Sequence, residues 1–177
     1  MLQKLHHVAY RCNDARETVD FYTKAIGLKF AHALTNDYVP SVKMFSPHLH
    51  IFFEMADGSY IAYFEVPLSP AQGRDENTPE WVQHLALEVK DMDALAEGKK
   101  RLEENGVDVI GPVDHHFCQS IYFFDPSGHR LEMTCRTEAE GALEEYEKNA
   151  FAVLDKWEAR KAKDNWPVRR QMAAAAE

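Results

Sequence analysis

The sequence predicts an α+β protein: two similar modules, each a strand, a helix and further strands, followed by a helix that belongs to neither. Three observations predict it. Residues 5–12 (LHHVAYRC) and 81–89 (WVQHLALEV) read as strands, and each runs into an acidic cap and an amphipathic helix that ends on glycine. The phrase HVAYRCND at 7–14 is answered by HLALEVKD at 84–91, an internal repeat. Residues 138–163 break the pattern with a charged, helix-favouring run.

In chain order, the first strand leads into NDARETVDFYTKAIG, with an Asn/Asp cap and Ala15, Val19, Phe21, Tyr22 and Ile26 near helical spacing before Gly27. Strand-like runs follow at 28–34, 41–46, 49–55 and 60–66, punctuated by ND, SP and DGS. The polar stretch LSPAQGRDENTPE reads as a linker. The second pass gives a strand at 81–89, a helix at 90–106 and strands at 107–110, 118–124 and 129–135. The expected organisation is a domain over 1–137 (module one 4–67, linker 68–80, module two 81–137) and a helical extension and tail over 138–177. In that extension Leu143, Tyr146, Ala150, Leu154 and Trp157 form one stripe, suited to a lid on the body or to a dimer contact. The tail after Pro167 ends AAAAE and is expected to fray.

A chain of 177 residues suits one domain or a duplicated pair of small ones. The net charge of −9, without a dense basic cluster, argues against a nucleic-acid partner. The first residues lack an apolar signal core and no 18 apolar residues run together, so neither secretion nor membrane insertion is expected. Cys12, Cys118 and Cys135 are odd in number and far apart; they read as reduced thiols of a cytoplasmic protein.

The chemistry centres on Glu132, a carboxylate inside the apolar run HRLEMTC. Strand alternation puts Arg130, Glu132 and Thr134 on one face, opposite Leu131, Met133 and Cys135. By the same rule His84, Ala86 and Glu88 share a face, as do His7, Ala9 and Arg11. If the more apolar faces pack on helices, His7, His84 and Glu132 look into a shared cavity. Two neutral imidazoles and a carboxylate suit a divalent ion and leave positions open for water, substrate or oxygen. The ion would also give Glu132 a partner. Taken singly, either histidine reads as an ordinary strand histidine; their equivalent places in two repeats favour ligands.

These residues carry a resemblance to the vicinal oxygen chelate superfamily, which includes glyoxalase I, methylmalonyl-CoA epimerase, fosfomycin and bleomycin resistance proteins, and extradiol dioxygenases. The likeness covers about residues 4–136. It implies paired βαβββ modules forming a curved mixed sheet around a metal-binding cavity, with His7, His84 and Glu132 on the ligand positions. Glyoxalase I and the epimerases usually add a fourth ligand on the fourth strand; here that position is Ala62, with Glu65 facing the other way.

The stretch VDHHFCQSIYFFDPSGHRLE (113–132) resembles the signature of extradiol ring-cleavage dioxygenases, from Val113 and His115 through Ile121, Tyr122, Asp125, Pro126 and Gly128 to Glu132. The resemblance implies an acid/base or oxygen-stabilising role for His115 and a substrate-bonding hydroxyl on Tyr122. The bland alternatives are a loop histidine, with His116 as its rival, and a core aromatic. Many extradiol enzymes have a further histidine near the positions of Ser59 and Tyr60. This chain has none there, and His48 and His50 are the substitutes in reach. Phe45, Phe52, Phe64 and Phe124 read as pocket walls or as plain core.

The implied function is a metal-dependent extradiol-type dioxygenase cleaving a catechol-like diol with O2, most naturally with Fe(II); Mn(II), Zn(II) and Ni(II) accept the same donors. A glyoxalase- or epimerase-like lyase or isomerase acting through an enediolate is the first alternative. A drug-binding resistance protein without chemistry is the second. The expected partners are a small-molecule substrate and O2, with a homodimer as the expected assembly.

Overall fold

Capping residues set where each module's helix begins. Asp14 accepts a hydrogen bond from Glu17 N (2.8 Å) and Asp91 one from Ala94 N (2.9 Å), each satisfying a donor that the first helical turn leaves open. This computed structural model describes residues 1–73 and 77–166. The middle of the expected linker, 74–76, and the expected frayed tail from Pro167 onward lie outside the described residues.

The first module is β1 (His7–Cys12), α1 (Ala15–Asp20), β2 (Lys29–Val39), β3 (Met44–Glu54) and β4 (Tyr60–Glu65), with α1 running on into a π-helical turn at Phe21–Ile26. The second is β5 (Leu85–Glu88), α2 (Met92–Glu104), β6 (Ile110–Asp114), β7 (Cys118–Phe124) and β8 (Arg130–Arg136). Each module forms a four-stranded mixed sheet, ordered β1-β4-β3-β2 and β5-β8-β7-β6. In both, the first strand runs parallel to the last and the other pairs are antiparallel. The repeat in the sequence is thus a repeat of topology.

Element edges moved where local chemistry overrode the turn signals. The runs expected at 41–46 and 49–55 are one strand, β3, and β2 continues through Asn36 and Asp37. ND and SP fall where the β2–β3 register shifts between Asn36 and Tyr38. A register irregularity of this kind absorbs a proline and two turn-formers without ending the strands. The strand expected at 81–89 shortens to Leu85–Glu88 because Val82 N turns back to Pro79 O (3.0 Å).

The helices hold the two sheets together. Tyr22 stacks on Phe53 (4.9 Å between centroids), while Phe21 reaches Phe123 of the second sheet (6.4 Å). Arg101 of α2 donates to Ile26 O (3.1 Å). At Gly27 (φ 89°) a Cβ would collide with the Arg101 guanidinium, and at Gly98 it would lie 2.8 Å from Met133 Sδ. Both glycines therefore permit close approach as well as the turn at 27. Phe53, Tyr63 and Ile61 of one sheet and Ile121, Phe123 and Leu131 of the other join α1 and α2 in a single core. The DPSG turn adds a polar tie. Asp125 accepts from Ser127 N (2.9 Å), His129 N (2.8 Å) and Tyr22 OH (3.2 Å), and His129 Nε2 donates to Arg11 O (2.7 Å).

Among the described residues, those up to Thr137 form one compact unit and those from Glu138 onward another. The second unit is α3 (Ala142–Lys163), on whose last turns Trp166 folds back against Trp157 (5.3 Å) with Arg160 over its ring (4.9 Å).

Candidate functional site

Pairing register decides what shares a face with Glu132. It lies opposite Ala86 on one side and Tyr122 on the other, while Thr134 lies opposite Glu88 and Ser120. Leu131 and Met133 point the other way, into the core. Glu132 is only 6% exposed, and its partner is His84, whose Nε2 is 2.8 Å from Glu132 Oε2. His84 Nδ1 donates to Val82 O (3.2 Å). The backbone carbonyl thus takes the remote ring proton and Nε2 is aimed at the carboxylate, the orientation in which an imidazole ligates a cation. The His84–Glu132 pair fits a divalent metal by this test.

Tyr122 adjoins this pair, with ring centroids of Tyr122 and His84 6.0 Å apart. Its hydroxyl shares a 2.7 Å hydrogen bond with His115 Nε2, and the Arg130 guanidinium sits 4.5 Å from the ring centroid. Burial pushes the Tyr122 phenol above its ordinary pKa and the Glu132 carboxylate adds to this, so the hydroxyl stays protonated at neutral pH. Ser120, beside it on β7, donates to Thr134 Oγ1 (3.0 Å). Of the two adjacent histidines, His115 is the one bonded to Tyr122. His116 adopts φ 71° and its backbone N donates to Asp114 Oδ1 (2.7 Å).

His7 sits on the first sheet, on the face of β1 turned away from the core. It pairs with Tyr60, and the same face of β4 and β3 carries Ala62, Phe64, Phe52 and His50. The His7 ring is 5.9 Å from Phe52 and 6.2 Å from His50, and its Nδ1 lies 2.8 Å from His6 Nδ1. His50 stacks on Phe64 (3.6 Å), with Nε2 buried and unpaired. Burial, then the charges of His7, His48 and His32, lowers its pKa to about 4. His32, which sequence reasoning did not single out, stacks on Phe52 (4.2 Å). Its signal lay in β2–β3 pairing, which places His32 opposite Phe52.

The expected triad is not brought together within this chain. His84 and Glu132 meet; His7 belongs to the other sheet, and the helices and shared core lie between the two sheets. Among the described residues, no group of three or more His, Cys, Asp or Glu side chains converges so as to hold a metal ion. Glu65 is on the core side of β4, as the alternation expects, and accepts from Ala15 N (2.8 Å) at the start of α1. Beside His84 opens a cavity of about 590 Å³, whose lining includes Tyr10, Gln83, Phe124, His129 and Arg130. Of the expected walls, Phe124 lines this cavity, Phe52 lies beside His7 and Phe64 stacks on His50. Phe45 is 68% exposed.

Comparison with known proteins identifies the family. The sequence model of the Glyoxalase/Bleomycin resistance protein/Dioxygenase superfamily matches residues 4–133. The chain belongs to that superfamily. Among superfamily-like relatives is the Bacillus subtilis (strain 168) protein named "Putative ring-cleaving dioxygenase MhqA", 29% identical over 140 residues. That match spans 77% of this chain and 42% of MhqA, so the chain corresponds to about two fifths of that relative. The 2-epi-5-epi-valiolone epimerase of an Actinomyces species is 26% identical over 143 residues, 73% of this chain and 77% of the epimerase. The fold is similar to that of the fosfomycin resistance protein FosX of Listeria monocytogenes, crystallised with Mn(II) and sulfate. There the TM-score is 0.56 and identity 20%, over 77% of this chain and 95% of FosX. In the superfamily's terms, the two four-stranded sheets and three helices are a vicinal-oxygen-chelate-like fold with a C-terminal helix added. No helix among the described residues is long and apolar enough to cross a membrane.

Proposed function

We propose that this protein is a ring-cleaving dioxygenase that opens a catechol-like aromatic diol with O2, using Fe(II) held by His7, His84 and Glu132. One geometry carries the reading: the His115–Tyr122 hydrogen bond (2.7 Å) lies on the face where Glu132 meets His84 (2.8 Å). A metal pair alone would serve many chemistries. A histidine bonded to a protonated phenol beside it is a device for holding an oxygen and moving a proton. The printed name of MhqA points the same way, and FosX is a similarly folded protein crystallised with a divalent ion.

Because His7 lies apart from the other two residues in one chain, the third ligand comes from a second copy. In a two-fold dimer the outer face of one chain's first sheet covers the outer face of the other chain's second sheet. When bound, the ion supplies Lewis acidity toward the diol oxygens and a redox partner for O2. The chain's own groups do the rest. Tyr122 donates to a substrate oxygen, the Arg130 guanidinium favours an anionic diol, and His115 accepts the diol proton and returns it to the ring-opened product. Phe52 excludes water beside His7. The three buried thiols suit a reducing compartment, and we place the protein in the cytoplasm.

The deciding experiment is metal analysis of anaerobically purified protein, followed by oxygen uptake with a panel of small catechols. Iron near one per chain, with uptake and a yellow ring-opened product, is the expected result. Zinc or nickel without uptake would favour the second reading, a lyase or isomerase, for which the epimerase relative speaks. Against that reading, Ala62 occupies the fourth-strand position beside Ala9, and Glu65 is engaged at the N-terminus of α1. No metal even after reconstitution would sink both.

A further inference from the structure

Helix α3 lies beyond the part of the chain that the superfamily model matches, residues 4–133. Its apolar residues follow a pattern of their own. Leu143, Tyr146, Ala150, Val153 and Trp157 are spaced alternately three and four apart, the a and d positions of two heptads and the a position of a third. No residue of α3 is buried, and Tyr146 and Val153 are 51% and 62% exposed. A stripe of this kind on a helix of about 33 Å is long enough to pair with another helix.

Charge says which helix. The first half of α3 (142–152) carries Glu144, Glu145 and Glu147 against the single base Lys148. The second half (153–163) carries Lys156, Arg160, Lys161 and Lys163 against Asp155 and Glu158. The gradient suits the helix's own dipole, with acids at its N-terminus and bases at its C-terminus. It has a second consequence. A parallel copy would set acid on acid and base on base, whereas an antiparallel copy sets each half against its complement and also opposes the two dipoles.

We propose that α3 is a dimerisation helix whose partner is α3 of a second copy, packed antiparallel. In this register Tyr146 meets the partner's Trp157, Ala150 meets the partner's Val153 and Leu143 lies along the aliphatic stem of the partner's Arg160. Ala150, small and near the two-fold axis, allows the helices to approach closely there. The pairing stands apart from the ring-cleavage reading, because it is read from assembly in metal-free protein.

The test uses the full chain in two single-substitution forms, Tyr146→Cys and Trp157→Cys, under mild oxidation after removal of metal with chelator. The native thiols Cys12, Cys118 and Cys135 are buried and leave a quiet background. The expected result is disulfide formation in the mixture of the two variants, several-fold above either alone. In the antiparallel pair, like positions are about 16 Å apart along the axis and unlike ones are adjacent. A second arm keeps the stripe intact. Glu144, Glu145 and Glu147 are changed to Lys in one chain, and Lys156, Lys161 and Lys163 to Glu in another. Each variant alone should weaken self-association in sedimentation at low salt by tenfold or more, and mixing should restore it. Cross-linking of each cysteine variant with itself would overturn the antiparallel arrangement. No cross-link in any combination, whether the protein is a monomer with α3 on its own body or a dimer through another surface, would overturn the pairing.

Discussion

At the residue scale, the face around Glu132 divides its labour between groups that hold and groups that move protons. Glu132 and His84 are 2.8 Å apart, so truncating either leaves the other as a buried or half-buried polar group without its partner. His115 stands one step away, joined through Tyr122 (2.7 Å). It follows that His115→Ala should leave metal content at the wild-type level while lowering kcat by roughly 10²- to 10⁴-fold, the usual worth of a positioned acid/base. Metal analysis and steady-state oxygen uptake on the same preparation read both halves of this prediction. A variant that lost metal in proportion to activity would make His115 a support for the ligands. A variant with unchanged kcat would make it a loop histidine.

At the element scale, Glu65 shows how a strand can carry a carboxylate close to a site without contributing it. On β4 it follows Ala62 by three residues, so pleat alternation sends it to the helix side, where its Oε2 accepts from Ala15 N (2.8 Å). Glu65→Ala should therefore cost about 1–2 kcal/mol, the typical loss for a helix cap, and leave metal content and oxygen uptake unchanged. Urea unfolding beside metal analysis measures it; loss of metal with full stability would return Glu65 to the ligand set. The alternation that placed Glu65 was legible in the sequence, as were both caps, both glycine stops and the DPSG turn; that Tyr122 lies across from Glu132 came only with the β7–β8 register. Strand ends were less so. Asn36-Asp37 and Ser46-Pro47 carry strong turn chemistry, yet they meet each other across a register shift that only pairing reveals.

At the scale of the whole molecule, the sequence could not say which face of one sheet meets which face of the other. Both faces of the first sheet carry large apolar groups. On the first sheet Ile61, Tyr63 and Phe53 point one way and Ala62, Phe64 and Phe52 the other. Burial could therefore proceed through either, and a one-chain cavity holding His7, His84 and Glu132 was the simpler expectation. The folded chain buries the helix-side faces in one core and leaves the two histidine-bearing faces apart. If a second copy completes the metal site, two inactive variants should rescue each other. His7→Ala lacks the first-sheet ligand and Glu132→Ala the second-sheet ligand, so neither alone should hold metal. In a mixed dimer, one site receives both lesions and the other receives none. Random assembly makes half of the dimers mixed, so co-expressed variants should recover about a quarter of wild-type metal content and activity in a two-fold assembly. Metal bound per chain, measured after removal of loosely held ions, is the readout. Recovery near that level requires ligands from two chains. If the three ligands meet within one chain, every chain in the mixture still carries a broken triad, and both metal and activity should stay at the level of the single variants.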